Sequence, residues 1–320
     1  MKLGIHSVEI AMPLGRMSVE GMSRDLGVRP SELLEEIGVF EKPVLEPGQE
    51  IFEYGLNAAR QVLAGAKISK SDIGIVIFAS CGVSRRQMWS PAAWIQNQLG
   101  AAGSYAFDLQ NGCNSGNLAL QVAGRLLEAS ERPFALVVVA DALSAMIDYT
   151  DPTHKKYFCF ADGAAAVLLA KADYKYEIGA FSSITKGEYA DHIWWEKNSP
   201  KLFVREDEDE SKLLVEEYRH EYPQRVRNVL AKEGLTVSQI DHVFMNQADH
   251  SLLNRLAAAL TIPMATIHAS YRHFGHIGGS DIFLALKERE KAGLIKKGQR
   301  IFLSTSGFGY SWGASLLTRV

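Results

Sequence analysis

The segment Phe107-Asp108-Leu109-Gln110-Asn111-Gly112-Cys113-Asn114-Ser115-Gly116-Asn117 joins two kinds of pattern. An extended, polar-punctuated run precedes it. After it, Leu118, Leu120, Val122, Ala123, Leu126 and Leu127 recur near helical spacing, so a helix opens close to Cys113. Gly112, Ser115 and Gly116 are small enough to let the backbone turn sharply and approach a neighbour. A cysteine in such a turn sits at the positive end of the helix, which favours a thiolate, the form a nucleophilic cysteine needs. On these residues alone, a buried structural cysteine is an equal alternative.

Outward from this turn, the composition is that of an ordinary globular protein. The chain has 320 residues, 47% hydrophobic and 22% charged, enough for one large or two moderate domains, each with a core. A formal net charge of −3 without a basic block argues against nucleic acid or an anionic membrane as partner. Cys81, Cys113 and Cys159 are odd in number and widely spaced, with no metal-ligand pattern. With no signal-peptide pattern and no apolar run near 20 residues, a reducing cytoplasm is expected.

Residues 3–10 read as a first strand, Met17–Gly27 and Pro30–Ile37 as short helices, and Ile51–Ala64 as a longer one. Ile73–Ala79, Phe134–Ala140 and Ala164–Ala170 are continuous apolar runs expected of strands buried on both faces. Pro91–Leu99 is helical, as is the segment from Cys113 to about Ser130. Glu188–Tyr222, with Trp194, Trp195, Pro200 and the acidic run Glu206–Glu210, breaks the pattern; a solvated insertion is the favoured reading and a pocket wall the alternative. The second half repeats the logic: helices at Tyr222–Glu233, Ser251–Leu260 and Ser280–Ala292, strands at Ile240–Met245, Ile301–Thr305 and Ala314–Thr318. Strands alternating with helices give a layered α/β architecture. Cys113 and Asn246 each lie between a strand and a helix, which points to internal duplication.

Five segments in order carry a family resemblance: Asn111-Gly112-Cys113-Asn114-Ser115-Gly116, Phe160-Ala161-Asp162-Gly163-Ala164-Ala165-Ala166, Asn246-Gln247-Ala248-Asp249, Phe274-Gly275-His276-Ile277-Gly278-Gly279-Ser280, and Gly307-Phe308-Gly309-Tyr310-Ser311-Trp312-Gly313-Ala314. The chain resembles the thiolase superfamily, most of all ketoacyl-acyl-carrier-protein synthase III and its specialised-metabolism relatives. The resemblance implies duplicated βαβαβ halves forming a layered αβαβα core. It divides the chain into an N-terminal half, 1–172, carrying the cysteine, and a C-terminal half, 173–320, carrying the His/Asn pair and the glycine-rich loop.

The resemblance also implies a Cys-His-Asn active site with Cys113 acylated. Here the chain departs from the family. Asn246 stands at the family's histidine position and His276 at its asparagine position. Both side chains donate hydrogen bonds, so the exchange keeps two donors for an enolate oxygen, but it moves the titratable group. His273 and His250 lie nearby in sequence. The oxyanion hole is expected from the backbone N–H groups of Cys113 and Phe308, and Trp89 matches a residue that walls the family's acyl pocket from the dimer mate.

The expected function is acyl loading on Cys113 followed by decarboxylative Claisen condensation with a malonyl-type thioester, placing the chain in fatty acid or polyketide biosynthesis or in specialised metabolism. The alternatives are an acyltransferase that passes the acyl group to an oxygen or nitrogen, with His276 as general base, and an inactive partner subunit. Acyl-CoA or acyl-carrier-protein thioesters are the expected substrates and a homodimer the expected assembly, with no metal or redox cofactor.

Overall fold

The computed structural model describes residues 2–82, 86, 88–196, 202–205, 208–246 and 250–320. Nine strands form one sheet: β1 (Gly4–Ala11), β2 (Ile73–Ser80), β3 (Tyr105–Gln110), β4 (Phe134–Ala142), β5 (Asp162–Ala170), β6 (Tyr176–Thr185), β7 (His242–Met245), β8 (Arg300–Gly307) and β9 (Ser311–Arg319). Their order across the sheet is β7-β8-β9-β6-β1-β5-β4-β2-β3. The middle is the short antiparallel pairing of β1 with β6, Gly4 opposite Glu177 and Ile5 opposite Tyr176. Outward from that seam the two sides repeat one succession, β1-β5-β4-β2 and β6-β9-β8-β7; the edge strand β3 has no counterpart among the described residues.

Alternation along β4 sorts the layers. Leu136 and Val138 face one core and Val137 and Val139 another, because successive side chains point to opposite faces. The outer core of the N-terminal side is covered by α1 (Ile51–Ala66) and α2 (Pro91–Leu99). The middle layer is α3 (Ser115–Ala129) and α6 (Asp281–Lys291), whose Leu120, Ala123, Leu127, Ile282 and Phe283 share a core with strands of both sides. The outer C-terminal face is covered by α4 (Glu208–Glu233) and α5 (His250–Leu260). The result is the expected αβαβα stack. The two middle helices approach closely because of Gly116, where an added Cβ would lie 2.3 Å from the Gly279 carbonyl oxygen.

Two sequence expectations change. β6 lies between the expected elements; its half-buried pattern lacks the clean apolar signal of β4 and β5. The helix expected from Tyr222 begins at Glu208 and runs through Pro223. A proline usually marks a helix start because it lacks an N–H, but here one missing hydrogen bond is outweighed by packing of Tyr222, Val226 and Val229 into the core. Among the described residues, no helix is long and apolar enough to cross a membrane.

Candidate active site

Cys113 sits in a 3-10 turn, Gly112–Asn114, between β3 and α3. Gly112 has φ +52, and a Cβ there would lie 2.8 Å from the Phe308 nitrogen. Three asparagines, three residues apart, tie this turn to the C-terminal strands. Oδ1 of Asn111 accepts from Ser311 Oγ at 3.1 Å, that of Asn114 from Thr305 Oγ1 at 2.5 Å, and that of Asn117 from Ser315 Oγ at 2.7 Å. The nucleophile turn is therefore positioned by the opposite half of the chain.

His276 arrives just before α6. Its backbone N–H donates to the Cys159 carbonyl at 2.8 Å, and its carbonyl accepts from the Ala161 N–H at 2.9 Å. The facing segment is held by Lys42, which is wholly buried. Its Nζ donates to the carbonyls of Phe158 and Phe160, each at 2.5 Å, and to the Tyr149 hydroxyl at 2.8 Å. Burial brings this ammonium down to about 7.

These two segments bring His276 Nε2 to 3.1 Å from Cys113 Sγ. On the other side of the ring, Nδ1 is 2.5 Å from Asp281 Oδ2, and Asp281 Oδ1 accepts from the Ile277 N–H at 2.9 Å. All three side chains are buried. With Nδ1–H given to the carboxylate, Nε2 faces the sulfur. The constellation is Cys-His-Asp, a thiol, an imidazole and an orienting carboxylate, an arrangement in which a cysteine can act as nucleophile and a histidine as base.

Asn246 is buried nearby but is committed to the backbone. Its Nδ2 donates to the Cys113 carbonyl at 3.2 Å and the Gly278 carbonyl at 3.5 Å, and its Oδ1 accepts from the Ser306 N–H at 2.6 Å. Residues 247–249, the rest of that motif, and the His250 side chain lie outside the described residues. His273 is exposed and stacks on Phe40, with ring centroids 5.5 Å apart.

Among the described residues, two cavities open on Cys113, and Phe308 lines both. One, about 310 Å³, is walled by Leu143, Met146, Ile193, Trp195 and Leu202. The other, about 190 Å³, is walled by Tyr157, Tyr218, Tyr222, Asn246, His276 and Ser306. Ile193, Trp195, Leu202, Tyr218 and Tyr222 all come from the stretch expected to be a solvated insertion. That expectation is corrected: the stretch folds as a two-stranded ribbon, Ile193–Trp195 with Leu202–Val204, followed by α4, and its apolar faces are buried as cavity walls. Trp89 lines neither cavity. It packs on Phe52 at 4.7 Å and borders a third space, whose lining lacks Cys113 but shares Gly82 and Gln110 with the larger cavity.

Residues 107–187 match the family model of 3-oxoacyl-[acyl-carrier-protein] synthase III, and residues 230–319 match the model of that family's C-terminal region. The chain belongs to the thiolase superfamily, in its synthase III branch. The beta-ketoacyl-[acyl-carrier-protein] synthase III of Porphyra purpurea is 26% identical over 329 residues, covering 98% of this chain and 99% of the relative. That of Escherichia coli strain K12 is 29% identical over 287 residues, 88% of each. The crystal structure of the Aquifex aeolicus synthase superposes with a TM-score of 0.89 at 24% identity, over 99% of both chains. Membership places the chain among the thiolase-type enzymes, of which its synthase III relatives are condensing members.

Three features of this synthase III-like site were not read from the sequence. Asp281 follows His276 by five residues, in the first turn of α6; the carboxylate at that helix start was its only sequence signal. Cys81 directly follows β2 and lies 3.5 Å, sulfur to sulfur, from Cys113. Asp141, at the end of β4, is buried between them and the Gly278–Gly279 turn. The signal for both was position at the end of a buried strand.

Electrostatics set the protonation states. The Cys81 S–H bond to its sulfur, with the charge and hydrogen bond of His276, brings the Cys113 thiol down to about 6, against burial and the Asp281 charge. Burial alone would lower His276, but the charges of Asp281 and Cys113 and their hydrogen bonds raise it well above its ordinary value. The resting pair is thiolate and imidazolium. Burial pushes Cys159 up to about 11, so it stays a thiol.

A depressed thiol pKa keeps the thiolate down to the new value. Iodoacetamide should therefore alkylate Cys113 with a midpoint near pH 6, and the labelled peptide should contain Cys113 rather than Cys159. His276→Ala, which removes the nearby cation, should raise that midpoint by about one to three pH units. An unshifted midpoint would contradict the ion pair.

Proposed function

We propose that the protein is an acyltransferase that loads an acyl group from a thioester onto Cys113 and passes it to a hydroxyl or amine of a second substrate. The observation that carries this reading is the His276–Asp281 contact at 2.5 Å behind the Cys113–His276 contact at 3.1 Å. A donor-only role for His276 would not need a buried carboxylate. A base does, because the carboxylate fixes the tautomer and supports the cation formed when the base takes a proton.

In loading, the Cys113 thiolate attacks the thioester carbonyl, and the leaving thiolate takes its proton from the His276 imidazolium. The oxyanion is held by backbone N–H groups at Cys113 and Phe308. Phe308 is not among the residues with positive φ, so the non-glycine residue fits there without strain. Acylation removes the Cys113 charge that helped raise His276, and the ring then serves as a neutral base. It takes the acceptor's proton, the acceptor bonds to the acyl carbon, the Cys113–acyl bond breaks, and the thiolate–imidazolium pair is restored. The larger cavity, with its aliphatic and aromatic walls, suits the acyl chain. The smaller one, with its tyrosines and His276, suits the acceptor.

A second reading is decarboxylative condensation with a malonyl-type thioester, favoured by the synthase III name of the relatives. Asn246 weighs against it. Both of its N–H groups are turned to backbone carbonyls, so the donor pair for an enolate is not assembled. The thioester donor is acyl-CoA or an acyl-carrier protein, and the unpaired cysteines fit a reducing compartment such as the cytoplasm. The repeated strand succession supports halves at 1–172 and 173–320 as products of duplication.

A homodimer is part of this proposal. β3 is an edge strand of the sheet and exposes Tyr105, and Trp89 matches the family position that faces the dimer mate. Edge strands invite pairing with another chain. Light scattering should find a dimer at micromolar concentration; monomer alone would refute it.

His276→Asn should slow loading from acyl-CoA near neutral pH, where Cys113 loses its nearby cation, with recovery toward about pH 9, and should slow transfer to an amine or alcohol by about a hundredfold to ten-thousandfold at either pH. Asp281→Asn should slow transfer and move the acidic limb of its pH profile to lower pH. Loss of the carboxylate lowers the pKa of His276, so the neutral base persists further into acid. Transfer that survives both changes would remove the base from the mechanism.

A further inference from the structure

Cys81 stands one residue past β2, with its sulfur 3.5 Å from that of Cys113. Its position is fixed by a buried carboxylate. The Cys81 N–H donates to Asp141 Oδ1 at 2.6 Å, and Asp141 Oδ2 accepts from the Gly279 N–H at 3.1 Å. Gly278 is moulded to that carboxylate: its φ is +68, and a Cβ there would lie 2.2 Å from Asp141 Oδ2. One acid thus sets Cys81 against both the nucleophile and the turn that follows His276. Both thiols line the same cavity.

We propose that Cys81 is a second catalytic thiol, whose S–H donates to the Cys113 sulfur and stabilises it as a thiolate when His276 is occupied elsewhere. The need arises in the transfer half-reaction, and to that extent the inference rests on the acyltransferase reading. There His276 Nε2 is engaged with the acceptor's proton. The acceptor oxygen or nitrogen bonds to the acyl carbon, and the carbon–sulfur bond to Cys113 breaks with its electron pair left on sulfur. That sulfur receives the Cys81 hydrogen bond at once, and Cys81 keeps its proton throughout. A better-stabilised leaving thiolate makes the passage from thioester to ester or amide faster.

The charge environment agrees. Cys81 is held well above an ordinary thiol, first by its hydrogen bond to Cys113, then by burial and the Asp141 charge, so it remains a donor while Cys113 is ionised. Asp141 is itself pushed up to about 7 by burial and by the Cys113 charge.

The test compares Cys81→Ala and Cys81→Val, the second keeping bulk without a donor, with Cys81→Ser, which keeps one, all under reducing conditions. The iodoacetamide midpoint of Cys113 should rise by about one pH unit in the Ala and Val variants and by less in the Ser variant. At pH 9, where the thiolate forms unaided, the Ala and Val variants should load acyl groups at the wild-type rate. Their transfer to an acceptor should remain slowed about tenfold. A midpoint unmoved in the variant that folds, or a loading defect that persists at pH 9, would overturn the proposal and leave Cys81 a packing residue. Wild-type protein that never transfers to a hydroxyl or amine would instead refute the acyltransferase reading, while the alkylation midpoint still decides the role of Cys81.

Discussion

Everything in this molecule converges on a 3.1 Å contact between Cys113 Sγ and His276 Nε2, buried and made across the seam between two halves of the chain. An ion pair in such a place is costly unless every other lone pair and proton is satisfied. The surrounding structure meets that demand. Asp281 takes the far side of the imidazole, Cys81 donates to the sulfur, and backbone hydrogen bonds bracket His276 on both sides. Removing any of these leaves a buried charge with fewer partners.

The same constraint explains polar residues that a core would otherwise exclude. Asn111, Asn114 and Asn117 fix the cysteine turn to the hydroxyls of the C-terminal strands. Lys42 clamps the segment that faces His276. Asn246, which the exchanged motif placed among the reacting groups, ties the Cys113 carbonyl to Ser306 near the end of β8, two residues before Phe308. Its exchange with His276 is therefore more than a swap of two donors. It puts the titratable ring where a carboxylate five residues later can support it.

The fold was legible because its strands are extreme in composition. Ile73–Ala79, Phe134–Ala140 and Ala164–Ala170 read as doubly buried strands and are so. β6 was not legible, since its mixed burial gives no clean period. The cysteine turn and His276 were legible from glycine-rich punctuation and family resemblance. Asp281, Asp141 and Cys81 were not, because their significance lies in contacts between residues distant in sequence, or in a helix geometry that brings a carboxylate back onto a ring. The wall formed by Ile193, Trp195 and Leu202 was read only as the alternative for its stretch, because a polar segment can bury one face of a short ribbon without showing a long apolar run.

The central claim is that His276, supported by Asp281, acts as a base toward an oxygen or nitrogen nucleophile. It is tested most directly by following the fate of acyl-Cys113 enzyme in a single turnover. Loaded wild-type protein would be mixed with malonyl-thioester and with a panel of alcohols and amines, and intact mass, carbon dioxide release and product mass recorded together. The account predicts loss of the acyl group to an ester or amide with no carbon dioxide released. Carbon dioxide release with a product lengthened by two carbons, and no transfer to any alcohol or amine, would contradict it.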